Sequence, residues 1–129
     1  MGYTTRFQGE LKFANPLDIH QYNALVNILG EDCRDHEGWR EPGSMMSYID
    51  LEMNGPDEVE PGFNETGLKW NGAEKSYEMV KIVNLITRLM RERFPDFKLT
   101  GSLLAQGDDA DDVWRLQMDA DGIAHRTFA

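Results

Sequence analysis

The segment from residue 67 to residue 95 limits the fold most strongly, because a short strand in it runs almost directly into a long amphipathic helix. Residues 67–70 form the predicted strand, Asn71 and Gly72 interrupt it, and the helix is predicted over residues 73–94. Pro95 ends the helix, since proline lacks the N–H group that a helix interior needs. The predicted apolar stripe consists of Met79, Val80, Val83, Ile86, Leu89 and Met90, and the predicted wet side of Glu78, Lys81, Asn84, Arg88 and Arg91. A helix with one apolar stripe must cover another layer, so this segment predicts a helix packed on a sheet.

Alternating apolar and polar residues predict the other strands of that sheet. A period of two with one apolar side is typical of a half-buried strand. The alternation is clearest over residues 3–14, where Phe7, Leu11 and Phe13 share one side. The remaining predicted strands cover residues 47–53, 97–105, 114–118 and 123–128, and a hairpin turn that contains Gly122 joins the last two.

A second helix is predicted after the first strand. Asn15 is a favourable N-cap, Pro16 suits the first helical position, and Asp18 favours the positive end of the helix dipole. Gly30 is a natural C-cap. The predicted apolar stripe consists of Ile19, Tyr22, Leu25, Val26 and Leu29. The charged stretches 31–44 and 54–66, which contain Pro and Gly, are predicted to be loops.

Together these elements predict one domain, residues 1–129, with the order β-α-β-β-α-β-β-β. The first six elements match the split βαβ pattern of ferredoxin-like folds, and the last two extend the sheet. We therefore expect an α+β fold, a two-layer sandwich in which both helices cover one face of a mainly antiparallel sheet. The other face, with the polar side of the first strand and Tyr48, is left for solvent, a ligand or a second subunit, so the fold permits a dimer.

The acidic composition limits the classes of partner. The chain holds 23 Asp and Glu against 13 Lys and Arg, a net charge of −10. Such a charge disfavours direct nucleic-acid binding, which depends on neutralising phosphates, and favours a protein with a basic patch, although solubility alone would also explain it. Cys33 is the single cysteine, which excludes an internal disulfide and fits a cytoplasmic protein. No apolar run approaches the ~18 residues of a membrane-spanning helix.

Two clusters outside the helices offer candidate binding residues. The first gathers Asp108, Asp109, Asp111 and Asp112 in one predicted turn, for which a solvated turn without a partner is the alternative. The second is the pair Trp39 and Arg40 in a charged loop. Trp and Arg are enriched in interface hot spots, and the alternative is that Trp39 folds back over the core.

No metal site or cofactor is predicted. The acidic turn lacks the Gly and Glu that the EF-hand pattern requires at its sixth and twelfth positions. Cys33 and His36 have the spacing of half a zinc site, but no second Cys-His cluster supplies the other two ligands.

The junction between the short strand and the long helix offers a third candidate site. Free N–H groups at a helix start can bind an anion, and a lysine lies close by in the sequence. The alternative is a purely structural connection that keeps its aromatic residues in the core. The candidate residues are Trp70, Asn71, Gly72, Glu74, Lys75 and Tyr77.

Three motifs carry a family resemblance. They are Gly-Tyr-Thr-Thr-Arg-Phe-Gln-Gly at 2–9, Trp-Asn-Gly-Ala-Glu-Lys-Ser-Tyr at 70–77, and Leu-Thr-Gly-Ser-Leu-Leu-Ala-Gln-Gly-Asp-Asp at 99–109. In this order they resemble a set of small uncharacterised proteins from phages, prophages and bacteria. Ser76 stands where these proteins tend to carry an aromatic residue, and Ala105 stands near a position where they tend to carry Trp. The resemblance implies a phage or mobile-element origin and gives no reaction.

The sequence holds no P-loop, no GxSxG and no HExxH motif, so no local pattern indicates catalysis. We expect a non-enzymatic phage or prophage accessory protein in the host cytoplasm that binds a host protein, as an acidic inhibitor of a host defence system would by mimicking nucleic acid. One alternative is a protein that binds or sequesters a small nucleotide at Gly72–Lys75. Another is a metal-dependent enzyme that uses carboxylates.

Overall fold

The structure is a computed structural model that describes residues 5–30, 49–54, 66–72, 79–107 and 109–128. These residues form two helices and six strands. In chain order the elements are β1 (Arg6–Phe13), α1 (Ile19–Leu29), β2 (Leu51–Asn54), β3 (Gly67–Trp70), α2 (Met79–Arg91), β4 (Leu99–Gln106), β5 (Val113–Met118) and β6 (Ala124–Phe128). The predicted order of elements is confirmed. The predicted loop 31–44, residues 55–65 of the predicted loop 54–66, residues 73–78 of the predicted helix and Tyr48 lie outside the described residues. Asn54, which was predicted to be in the loop, is the last residue of β2.

All six strands belong to one open antiparallel sheet with the order β2-β3-β1-β4-β5-β6. In the register of the central strand β1, Leu11 lies opposite Leu68 of β3, and Phe7 lies opposite Ala105 of β4. The first four strands agree in outline with the predicted split βαβ order, while β5 and β6 extend the sheet beyond β4. The fold is therefore the α+β sandwich that the sequence predicts.

The core lies between the helices and one face of the sheet. Phe7 and Leu11 of β1 are buried on this face, while the intervening Gln8 and Lys12 are exposed on the other face, as the alternation predicts. The helices and strands contribute Leu25, Ile82, Val83, Ile86, Met90, Leu68, Leu103 and Leu116 to the fully buried core.

Gly67 is required by the close approach of β3 to β1. A Cβ atom at this position would lie 2.1 Å from the backbone oxygen of Leu11. Since both groups belong to backbone, no side-chain movement could relieve the overlap. The two strands can therefore pair at this distance only with a glycine here.

The first helix begins at a different cap from the predicted one. Asp18, and not Asn15, is the N-cap: its Oδ1 accepts the N–H of Gln21 at 2.8 Å, and Gln21 Oε1 accepts the N–H of Asp18 at 3.2 Å. This capping box satisfies two backbone donors at once, so it fixes the helix start three residues later. Pro16 consequently precedes the helix.

The buried side of α1 is also rotated from the predicted stripe. Ala24, Leu25 and Ile28 are buried, whereas Ile19 and Val26, both predicted to be in the stripe, are 46% and 42% exposed. Apolar residues lie on several sides of this helix, so periodicity alone could not choose between them. The buried side includes the small Ala24, which adds little apolar signal to the stripe.

Strand and helix ends differ from the predicted bounds by a few residues. The helix α2 ends at Arg91 instead of Phe94, because the N–H groups of Arg93 and Phe94 both bond to the Met90 carbonyl in a tightened last turn. The predicted second strand begins later, at Leu51. In the described part of the chain, no helix is long and apolar enough to cross a membrane.

Candidate protein-interaction surface

Two of the segments that the sequence singles out come together at one end of the sheet. Arg6 at the start of β1 lies opposite Gln106 at the end of β4, so the turn after β4 lies at this end. Because β3 runs antiparallel to β1, its last residue, Trp70, and the following Asn71 and Gly72 lie there too. We call this end, where β1 begins, the sheet end.

An aromatic cluster joins the two segments beneath the surface. Phe7 is buried and packs edge-on against Trp70 on one side and Trp114 on the other, with ring centroids 5.9 Å apart in both pairs. Such edge-to-face pairs are worth ~0.5–1.5 kcal/mol beyond their buried area. Both tryptophans stay partly accessible, so Trp70 belongs to the core and to the surface, which the sequence left open.

Trp114 makes a cation–π contact with Arg126. The guanidinium of Arg126 lies 4.4 Å from the centroid of the Trp114 ring, and an Arg126 nitrogen lies 4.0 Å from a carboxylate oxygen of Asp112. The arginine is therefore held by an aromatic ring and an acidic residue at once. This contact connects the aromatic cluster with the acidic turn.

The acidic turn is ordered by its backbone. The N–H of Gly107 bonds to the carbonyl of Asp112 at 2.8 Å, and the N–H of Asp112 bonds to the carbonyl of Asp109 at 3.0 Å. The side chain of Gln106 donates to the same Asp109 carbonyl at 2.9 Å. The exposed carboxylates of Asp109 and Asp111 take no part in these bonds, so they remain free to meet a partner.

The described residues are almost neutral as a set. They contain eleven Asp and Glu against ten Lys and Arg, whereas the rest of the chain contains twelve acids and only three basic residues. The junctions of these other stretches with the described chain lie at both ends of the sheet. Those at Ile49 and Gly72 lie at the sheet end, since the N–H of Asn71 bonds to the carbonyl of Asp50, whereas those at Asn54 and Thr66, which flank four of the twelve acids, lie at the opposite end.

Of the residues that the sequence proposes for binding, the structure describes about half. Asn71 and Gly72 are exposed, and they lie at the sheet end with Trp70, Asp109, Asp111 and Asp112. Trp39, Arg40, Glu74, Lys75, Tyr77 and Asp108 lie outside the described residues. The anion site proposed at the helix start therefore stays a prediction.

Sequence reasoning assigned Phe7, Trp114 and Arg126 only to strand patterns. Their alternation predicts a shared face but does not show that they form one cluster at the sheet end. The signal that could have found it is Trp114, an aromatic residue directly after the acidic turn. Within the described part of the chain, no three His, Cys, Asp or Glu residues are grouped so that they could hold a metal ion.

A second charged cluster lies at the opposite end of the sheet, in the β5–β6 hairpin. Asp119 Oδ1 accepts the N–H groups of Ile123 at 3.0 Å and Asp121 at 2.8 Å, and its Oδ2 lies 2.6 Å from Nε2 of His125. The N–H of Ile123 lowers the pKa of Asp119 most, followed by the hydrogen bond with His125. Gly122, with φ +79°, supplies the left-handed conformation of the predicted turn. These contacts show that the cluster stabilises the β5–β6 hairpin turn.

No family model matches the chain, and no curated protein or solved structure matches it.

Proposed function

We propose that this protein is a non-enzymatic phage or prophage accessory protein that binds a host protein through the sheet end. The observation that supports the proposal is the convergence of two segments at one surface. Trp70 and Trp114 are packed on opposite sides of Phe7, and the exposed Asp109 and Asp111 belong to the turn that leads into Trp114 at the same end of the sheet.

The chemistry of this surface suits a basic partner. Partly buried tryptophans supply rigid apolar area, which is typical of the centre of an interface, while charged groups at its rim choose the partner and speed the encounter. A host protein that uses a basic surface to hold nucleic acid, such as a component of a defence system, presents the complementary charge in the host cytoplasm.

Capture from host lysate with matched charge variants tests the proposal. The double variant Asp109→Lys/Asp111→Lys reverses two exposed charges at the sheet end. The control Glu92→Lys/Asp96→Lys makes the same change in net charge at exposed residues just beyond α2. We expect a protein that the native chain and the control retain and the sheet-end variant loses.

The captured protein is then purified and its binding kinetics are measured at low and high salt. We expect the sheet-end variant to associate about tenfold more slowly than the control, with a weaker salt dependence. If no captured protein distinguishes the two variants, the acidic rim is not the contact surface and the proposal fails.

A further inference from the structure

The strand β6 forms one edge of the sheet, and its hydrogen-bonding pattern shows which groups point outward. The N–H of Asp119 bonds to the carbonyl of Ile123 at 2.9 Å, so residues 119 and 123 form a hydrogen-bonded pair. In an antiparallel pair the bonding direction alternates from residue to residue. The backbone groups of Ala124, Arg126 and Phe128 therefore point away from β5.

Asn84 of α2 closes this edge at its first position. Its side-chain amide donates to the carbonyl of Ala124 at 3.1 Å, and its oxygen accepts the N–H of Ala124 at 2.8 Å. The outward N–H groups of Arg126 and Phe128 and the outward carbonyl of Arg126 have no such partner among the described residues, and the Phe128 carbonyl accepts only a long contact of 3.5 Å from the Thr127 hydroxyl. The edge of β6 is therefore covered at Ala124 and open at Arg126 and Phe128.

The open part of the edge also exposes a large apolar side chain. Phe128 is 98% exposed, and His125, Arg126 and Thr127 are exposed as well. Natural sheets usually protect such an edge with proline, a bulge or a covering element, because an unpaired strand is a template for another strand. In the described residues, Asn84 is the covering group, and it protects Ala124 alone.

We propose that β6 pairs with β6 of a second copy of this chain to form a two-fold symmetric dimer with a continuous twelve-stranded sheet. A closed two-fold dimer requires an antiparallel, self-complementary pairing. The proposal concerns the open edge of β6 and does not depend on the function proposed for the sheet end.

The hydrogen bonds already made select the register. Pairing centred on Arg126 would place Phe128 opposite Ala124 of the partner subunit, but the outward backbone groups of Ala124 already bond to Asn84. It would also place the two Arg126 side chains directly opposite each other. Pairing centred on Thr127 avoids both problems. It places Phe128 opposite the partner subunit's Arg126, so that each Arg126 exchanges two backbone bonds with Phe128 of the other copy.

This register also matches the side chains. Residues directly opposite each other in an antiparallel sheet share a face, so the ring of Phe128 lies beside a guanidinium and Thr127 lies beside Thr127 of the partner subunit. Four backbone bonds and two phenylalanine rings make an interface smaller than the ~1,600 Å² of a standard complex. Dimerisation should therefore depend on concentration.

Disulfide cross-linking tests the register directly. Thr127 would form a non-hydrogen-bonded pair with its symmetry mate, in which the Cα atoms lie ~4.5 Å apart, a distance that a disulfide can span. Cys33→Ser is the background, because it removes the native thiol. Thr127→Cys in this background should give a disulfide-linked dimer under mild oxidation about tenfold faster than Lys12→Cys, an exposed residue of β1 on the same face of the sheet. Equal rates for the two variants would overturn the proposal.

Sedimentation of the native chain and of Phe128→Asp provides a second test that needs no engineered cysteine. We expect a monomer–dimer equilibrium for the native chain and a monomer for the variant over the same concentration range. A native chain that stays monomeric at the highest concentration, or a variant that dimerises as strongly as the native chain, would overturn the proposal.

Discussion

The hydroxyl of Thr87 lies in the core without a hydrogen-bond partner among the described residues, although the residue is only 1% exposed. A buried polar group without a partner costs free energy, and valine has nearly the same shape without the hydroxyl. We expect Thr87→Val to raise the free energy of unfolding by about 1 kcal/mol in chemical denaturation. Thr87→Ser, which keeps the hydroxyl and loses the methyl group, should lower it. A destabilised valine variant would show that the hydroxyl is satisfied in solution.

Asp119 should make the stability of the β5–β6 hairpin depend on pH. Because the pKa of Asp119 is lowered in the folded state, chiefly by the N–H of Ile123, its contribution is present above the ordinary carboxyl pKa of 3.8. It is lost as the pH falls through the lowered value. We therefore expect the native chain to melt at a higher temperature than Asp119→Asn at neutral pH, and the difference to vanish in acid. A difference that stayed constant across this range would contradict the assignment.

Among the helices and strands, the start of α1 is the boundary that local sequence patterns could not predict. Asn15 with Pro16 and Asp18 with Gln21 are both good starting signals, and only the second forms a reciprocal capping box. The first strand was predicted more readily than this helix start, because Phe7, Leu11 and their neighbours alternate without a competing pattern. Local patterns thus predicted which elements exist and left open where this helix begins and which side it buries.

Alanine substitutions at Asp18 and Asn15 test which of the two residues caps α1. We expect Asp18→Ala to lower the free energy of unfolding by about 1 kcal/mol, since it leaves backbone donors of the first turn without partners. Asn15→Ala should change it by less than about 0.5 kcal/mol, as is usual for surface substitutions. Thermal or chemical denaturation of the two variants distinguishes the caps. A larger loss for Asn15→Ala would restore the predicted helix start.

At the scale of the whole molecule, the sequence predicted a two-layer α+β sandwich but could not assemble its surfaces. Trp70 and Asp109 were separate candidates, because their shared position follows from the pairing of β3 and β4 with β1 and not from the residues around either one. That arrangement depends on the register of Arg6 against Gln106, which is a long-range property. The sequence does predict residues 123–128 as a returning edge strand, but not that Asn84 closes this edge at Ala124, which is also a long-range contact.

The negative charge of the chain is unevenly distributed between the described residues and the rest. The described residues are nearly neutral, and the net charge of −10 comes almost entirely from the other stretches of the chain. Two of those stretches join the described chain at the sheet end, at Ile49 and Gly72, and another joins it at the opposite end, at Asn54 and Thr66. An acidic composition alone would serve solubility, whereas the exposed carboxylates of Asp109 and Asp111 in the turn before Trp114 suit recognition of a basic partner.

Hydrogen–deuterium exchange of the protein with and without the host protein that it captures would show whether the two segments at the sheet end form one contact surface. We expect slower exchange on binding in two separate stretches at once, residues 70–72 and 109–114, with no change across α1. Protection of only one of these stretches, or protection confined to the helices or to the exposed polar face of β1, would contradict a single contact surface at the sheet end.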